Sequence, residues 1–251
     1  MVIIHSIQKQ YILGLFVLLV LSTSLSACGK KAGFSLSNAQ QQNLSQCEIY
    51  FQKNKVERAI KCFEAYKSQH YSTKKGIYAD LMIAESYFKG KDYLLAGEAY
   101  TLFISAYPYH EKVPYAYYKA GLSFFNQAPK TIDRDQSVVD DAIKSLEAVL
   151  KYYSQTPYAP LAKVVYQQAR LRKAQRSYYV GRYYFKTHEY LAAAPRFQSI
   201  ITDYANLGLD EKSFYYLIQS LRNTHQKELA DKYYSLFAQY YPESQLVKRL
   251  D

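Results

Sequence analysis

The chain has 251 residues with a formal net charge of +11; 49% of its residues are hydrophobic and 16% aromatic, with 29 Tyr and no Trp. Such a basic balance can mean a nucleic-acid or membrane partner. Lys and Arg are scattered with no long basic run, which argues against a nucleic-acid partner.

His5 and Lys9 lie in a short polar start, followed by an apolar run from Tyr11 to Leu21. A membrane-spanning helix needs about 20 apolar residues; a run of this length suits the core of a secretion signal, roughly 7–15 residues. Small residues then lead to Leu25-Ser26-Ala27-Cys28. This string resembles the lipobox of bacterial lipoproteins at every position. The reading is a signal peptide over 1–27 and Cys28 as the lipidated first residue of the mature chain. Two or more acyl chains on that residue would hold the protein firmly at a membrane surface without spanning it. Gly29 follows, where an Asp would resemble an inner-membrane retention signal, so the outer membrane is expected. Export also separates the protein from nucleic acid. Residues 29–42 are rich in Gly, Ser, Asn and Gln, have no apolar periodicity, and read as a flexible tether.

Residues 43–251 repeat. Tyr50-Phe51 precedes Ala59, and Tyr87-Phe88 precedes Ala96, with the same spacing of nine from Tyr to Ala and a shift of 37 residues between copies. Tyr184 and Ala193, then Leu221 and Ala230, repeat the spacing; Phe124 and Ala142 are eighteen apart, which marks an insertion. Four and seven residues after each Ala stand bulky groups, such as Phe63 and Tyr66 or Tyr234 and Phe237. That spacing places them on one helix face. Three residues before each aromatic anchor come Cys47, Ala84, Gly121, Gly181 and Ile218, four of them small enough for a close helix crossing. The pattern resembles the tetratricopeptide repeat, whose period is 34 residues. The expected fold is all-α, an α-solenoid of about five helix pairs at 40–70, 76–107, 112–155, 158–205 and 210–241. The first helix of the fourth pair should run for some seven turns, because 161–188 holds no Pro and one Gly.

The repeat domain offers little chemistry. His70, His110, His188 and His225 fall at predicted turns, and none has a second ligand at metal spacing. No phosphate loop or nucleophile elbow is present. Asp133, Asp135, Asp140 and Asp141 surround Arg134 without calcium-loop spacing, and a solvated loop and helix start account for them. No cofactor, no metal and no enzymatic activity are expected. Cys47 and Cys62 fall on the two helices of the first pair. They form either a disulfide or two partly buried thiols; Cys62 lies three past Ala59, off the expected contact face, which favours the thiols.

Several local strings carry a more specific resemblance. The insertion contains Asp133-Arg134-Asp135-Gln136, followed by Leu150-Lys-Tyr-Tyr-Ser-Gln-Thr-Pro-Tyr158; the long helix ends Val180-Gly181-Arg182-Tyr183-Tyr184, and Tyr190 precedes Pro195-Arg196-Phe197. With the lipobox and the repeats, these resemble the BamD family of the outer-membrane β-barrel assembly machinery. The resemblance implies a scaffold on the periplasmic face of the outer membrane. It would bind a BamA-like barrel insertase through a POTRA domain, other assembly-machinery lipoproteins, and unfolded outer-membrane proteins. A family Arg in the second helix of the fourth repeat touches the insertase, and Arg196 matches it; a solvated helix charge is the plain alternative. Pro195 departs from the family pattern: inside a helix it would kink it, near the start it would be tolerated. Another repeat-bearing lipoprotein, serving pilus-secretin assembly or cell-wall coordination, is the alternative function.

Overall fold

A computed structural model describes residues 43–250. The signal segment, Cys28 and the tether therefore lie outside the described residues. Ten of the eleven described helices form five consecutive pairs. They are α1 (Leu44–Gln52) and α2 (Val56–Gln69), α3 (Lys74–Gly90) and α4 (Tyr93–Ala106), α5 (Val113–Gln127) and α6 (Val138–Tyr152), α7 (Tyr158–Lys186) and α8 (Tyr190–Asp203), and α9 (Asp210–Asn223) and α10 (Lys227–Tyr240). A short α11 (Gln245–Lys248), not anticipated from the sequence, closes the array. It buries Val247, and Leu250 just beyond it is buried too, against the last pair; Arg222 Nη1 donates to the Leu250 carbonyl at 2.7 Å. No strand occurs among the described residues.

The repeat residues are the core. Ala59, Ala96, Ala142, Ala193 and Ala230 are each 0% exposed. Opposite them Cys47, Ala84, Gly121, Gly181 and Ile218 are buried on the first helices. At Gly121 the approach is close enough that an added Cβ would lie 2.5 Å from Leu146 Cγ. Phe63, Tyr100, Phe103, Leu146, Phe197 and Phe237 fill the space beside these crossings. Tyr234 is the exception, only half-buried on the last pair.

Four of the five pairs share one turn. Asn54, Lys91, His188 and His225 have φ of 56°, 66°, 64° and 57°. The next residue returns its amide to the anchor carbonyl: Lys55 to Tyr50 at 2.9 Å, Asp92 to Tyr87 at 3.0 Å, Glu189 to Tyr184 at 2.9 Å and Gln226 to Leu221 at 3.0 Å. This left-handed C-terminal cap satisfies carbonyls that the helix end would otherwise orphan. It also gives His188 and His225 a structural place, in exposed turns. The third pair replaces the turn with the insertion.

One sequence expectation is corrected. Cys47 and Cys62 are joined as a disulfide, with Cα atoms 5.2 Å apart. Cys62 is 4% exposed and not off the contact face. A helix buried on more than one side has a contact arc wide enough to include the residue three past Ala59, and that residue meets α1.

Candidate functional site

The candidate partner residue, Arg196, lies on α8, and the geometry around it begins with α7. This 29-residue helix carries seven basic residues and no acidic one. Two of these point to main-chain oxygen: Arg170 Nη2 donates to the Asp203 carbonyl at 2.6 Å, and Arg176 Nη1 to the carbonyls of Ile132 and Asp133 at 3.0 and 2.7 Å. Carbonyls orient a guanidinium without cancelling its charge. Lys173 alone on this helix forms a described ion pair, with Asp140 of α6 at 2.8 Å.

α8 is drawn onto α7 at Gly181, where an added Cβ would stand 3.0 Å from the Phe197 ring and 3.1 Å from Arg196 Cβ. The Ser177 hydroxyl of α7 donates to the Arg196 carbonyl at 3.1 Å, and Ser199 Oγ donates to the same oxygen at 3.0 Å. The backbone of Arg196 is thereby fixed. Pro195 lies inside α8, not at its start. It denies the Leu191 carbonyl its usual i+4 donor. Leu191 is 71% exposed, so that carbonyl sits where water reaches it, and the helix continues through.

The Arg196 side chain is exposed and makes no ion pair or hydrogen bond among the described residues. It borders a groove of about 500 Å³ between α6 and α8, floored by α7. Lys173, Arg176 and Arg196 contribute three cations; Asp135, Asp140 and Asp203 contribute three carboxylates. Asp135 is held below the usual carboxylate range by hydrogen bonds from the Ser137 hydroxyl and amide, at 2.6 and 3.1 Å. Asp133, the other acid of the motif, is lowered chiefly by the Thr131 hydroxyl. The groove is polar, with as many cations as carboxylates among its lining residues. No three-residue metal-binding cluster and no helix long and apolar enough to cross a membrane occur among the described residues.

A second polar centre joins repeats two and three. Glu85 Oε1 accepts from the hydroxyls of Tyr100 and Tyr115 at 2.6 and 2.5 Å, and Lys119 Nζ lies 3.6 Å from Oε2. The same ammonium stands 3.4 Å from the centroid of the Phe88 ring. Burial pushes the Lys119 pKa down against the opposing pull of Glu85, and pushes both tyrosines well up. The first junction repeats the motif in simpler form, with Tyr78 donating to Glu48 at 2.9 Å.

A family model described as YfiO, outer membrane lipoprotein, matches residues 37–236. The chain belongs to this family. Its YfiO relatives include two proteins named outer membrane protein assembly factor BamD. One, from Rickettsia prowazekii, is 28% identical over 78% of each chain; the other, from Neisseria meningitidis serogroup B, is 25% identical over 91% of each. Among solved structures, a kinesin light chain with tetratricopeptide-like repeats from Podospora anserina superposes with a TM-score of 0.40 at 12% identity, covering 80% of this chain and 94% of that one.

Both termini of the YfiO match fall inside or near the described repeats, so Arg196 and the insertion lie within it. The sequence singled out the string Asp133 to Gln136 but not the burial of Gln136, which is 2% exposed, nor the role of Arg172 and Arg176 in holding it. Their only sequence signal is the acid-free run of basic residues along α7.

Proposed function

We propose that this protein is a non-enzymatic scaffold of the β-barrel assembly machinery. Its helix pairs would bind the barrel insertase through a POTRA domain and help unfolded outer-membrane proteins reach it. Membership of an outer-membrane lipoprotein family whose relatives are named assembly factors carries this reading. The architecture supports it: stacked helix pairs expose extended surfaces suited to peptides and partner domains. Cys28 would anchor the chain by its lipid to the periplasmic face of the outer membrane, and other assembly-machinery lipoproteins would join the same array. Arg196 is the proposed insertase contact, because it is exposed on a fixed backbone and makes no ion pair among the described residues.

The test is gentle-detergent purification of the intact protein from membranes, followed by mass spectrometry. A POTRA-containing barrel protein should co-purify in stoichiometric yield. Its repeated absence, or recovery of secretin or cell-wall enzymes in its place, would overturn the proposal. Mass spectrometry of the mature N-terminus should find acylated Cys28; an unmodified N-terminus would refute the anchor.

A further inference from the structure

The insertion between α5 and α6 is built around one side chain. Gln136 Nε2 faces the carbonyls of Thr131, Arg134 and Pro129 at 3.0, 3.3 and 3.4 Å. Its Oε1 accepts from Arg172 Nε of α7 at 2.5 Å. One turn along α7, Arg176 holds the carbonyls of Ile132 and Asp133. Residues 36 to 44 positions apart are thus locked by side-chain bonds to main chain and amide. A buried apolar residue would fill this space but leave the loop free to rotate about it. An amide with both ends engaged fixes orientation as well as position.

The oriented elements border the groove that Arg196 faces. Asp135, Gln136 and Ser137 line one wall, and Arg196 and Ser199 line the other. We infer that the insertion is the second wall of the partner-binding groove and that Gln136 is its positioning residue. This rests on the reading of Arg196 as a partner contact. The charges are interleaved, with Arg196 and Asp203 on α8, Asp135 on the insertion and Lys173 paired with Asp140, so a uniformly acidic partner surface would gain at Arg196 and be repelled at Asp135. It fits a protein segment that presents a carboxylate to Arg196 and a cationic side chain to Asp135.

Hydrogen exchange on the mature protein, with and without the purified membrane-proximal POTRA domain of the barrel insertase, is the direct experiment. The amides of 131–137 should slow together with those of α8. Protection of α8 alone would overturn the inference while leaving Arg196 as a contact. Two variants add an affinity measurement. Gln136→Leu should speed exchange at 131–137 in the free protein and weaken POTRA binding by about tenfold, a shift in the dissociation constant that a titration resolves easily. Asp135→Lys changes an exposed side chain and stays informative even where Gln136→Leu fails to fold; it should weaken binding comparably with an unchanged helical signal. Wild-type affinity in Asp135→Lys would overturn the inference. Wild-type affinity in Arg196→Glu would overturn the reading beneath it.

Discussion

Tyr115 of the third helix pair donates to Glu85 of the second at 2.5 Å, on the oxygen that also receives Tyr100. The bond crosses a repeat junction, so this carboxylate couples the second and third units in addition to their apolar contacts. Glu85→Ala leaves two buried hydroxyls without their acceptor and removes the partner of Lys119. We expect a loss of about 2–4 kcal/mol, the scale of stranding several buried polar groups. Urea unfolding measures it, and a change under about 0.5 kcal/mol would show the hub to be dispensable.

The same chemistry sets an alkaline limit. Tyr78 and Tyr107 are pushed up to about 12, each first by burial and then by a carboxylate neighbour, and Tyr100 and Tyr115 are raised further. A group whose folded pKa is raised binds its proton more tightly in the native state. Its stabilisation is complete below the unfolded value, about 10, and is lost as pH climbs through the folded values. Lys119, lowered by burial, acts in the opposite sense below about 10.4 and is one group against four. Stability should therefore fall between pH 10 and about 12, with the last fraction of tyrosinate absorbance, that of the buried tyrosines, rising in step with unfolding. Complete tyrosinate formation before unfolding would contradict the burial argument.

Gly121→Ala sets two effects against each other. Alanine improves helix propensity by about 1 kcal/mol. The new methyl, however, would stand 2.5 Å from Leu146 Cγ and 3.1 Å from the Ala142 carbonyl. Overpacking of a tight crossing costs about 1–3 kcal/mol, and backbone cannot yield as a side-chain tip can. A net loss is expected in thermal unfolding; a raised midpoint would mean the α5–α6 crossing is looser than described.

The disulfide between Cys47 and Cys62 closes a loop of fifteen residues. Chain-entropy arguments give about 3 kcal/mol for a loop of that length. Cys62→Ser should destabilise the first helix pair by roughly that amount, and exchange should quicken in α1 and α2 while α9 and α10 are unaffected. Two free thiols titrated in denatured, unreduced mature protein would contradict the bond.

Much of this architecture was legible because its determinants are local. The small residue, aromatic anchor and alanine of each repeat recur at fixed offsets, and helix geometry alone turns those offsets into one buried face. The Cys62 expectation does not hold, because a single contact face does not describe a helix that packs on two neighbours. Gln136 was legible as part of a motif but not as a buried keystone, since its burial depends on Arg172 arriving from another helix. The setting of Arg196 was settled by Gly181 and Ser177, on α7, and not by the adjacent Pro195.

The central claim is that the groove bordered by Arg196 holds the insertase, and one titration tests it most directly. Calorimetric titration of the mature protein with the membrane-proximal POTRA domain should give saturable binding that Arg196→Glu weakens by about 2 kcal/mol or more, the scale of a charge pair replaced by repulsion, while the far-ultraviolet helical signal stays that of wild type. Equal affinity in the two proteins would contradict the account.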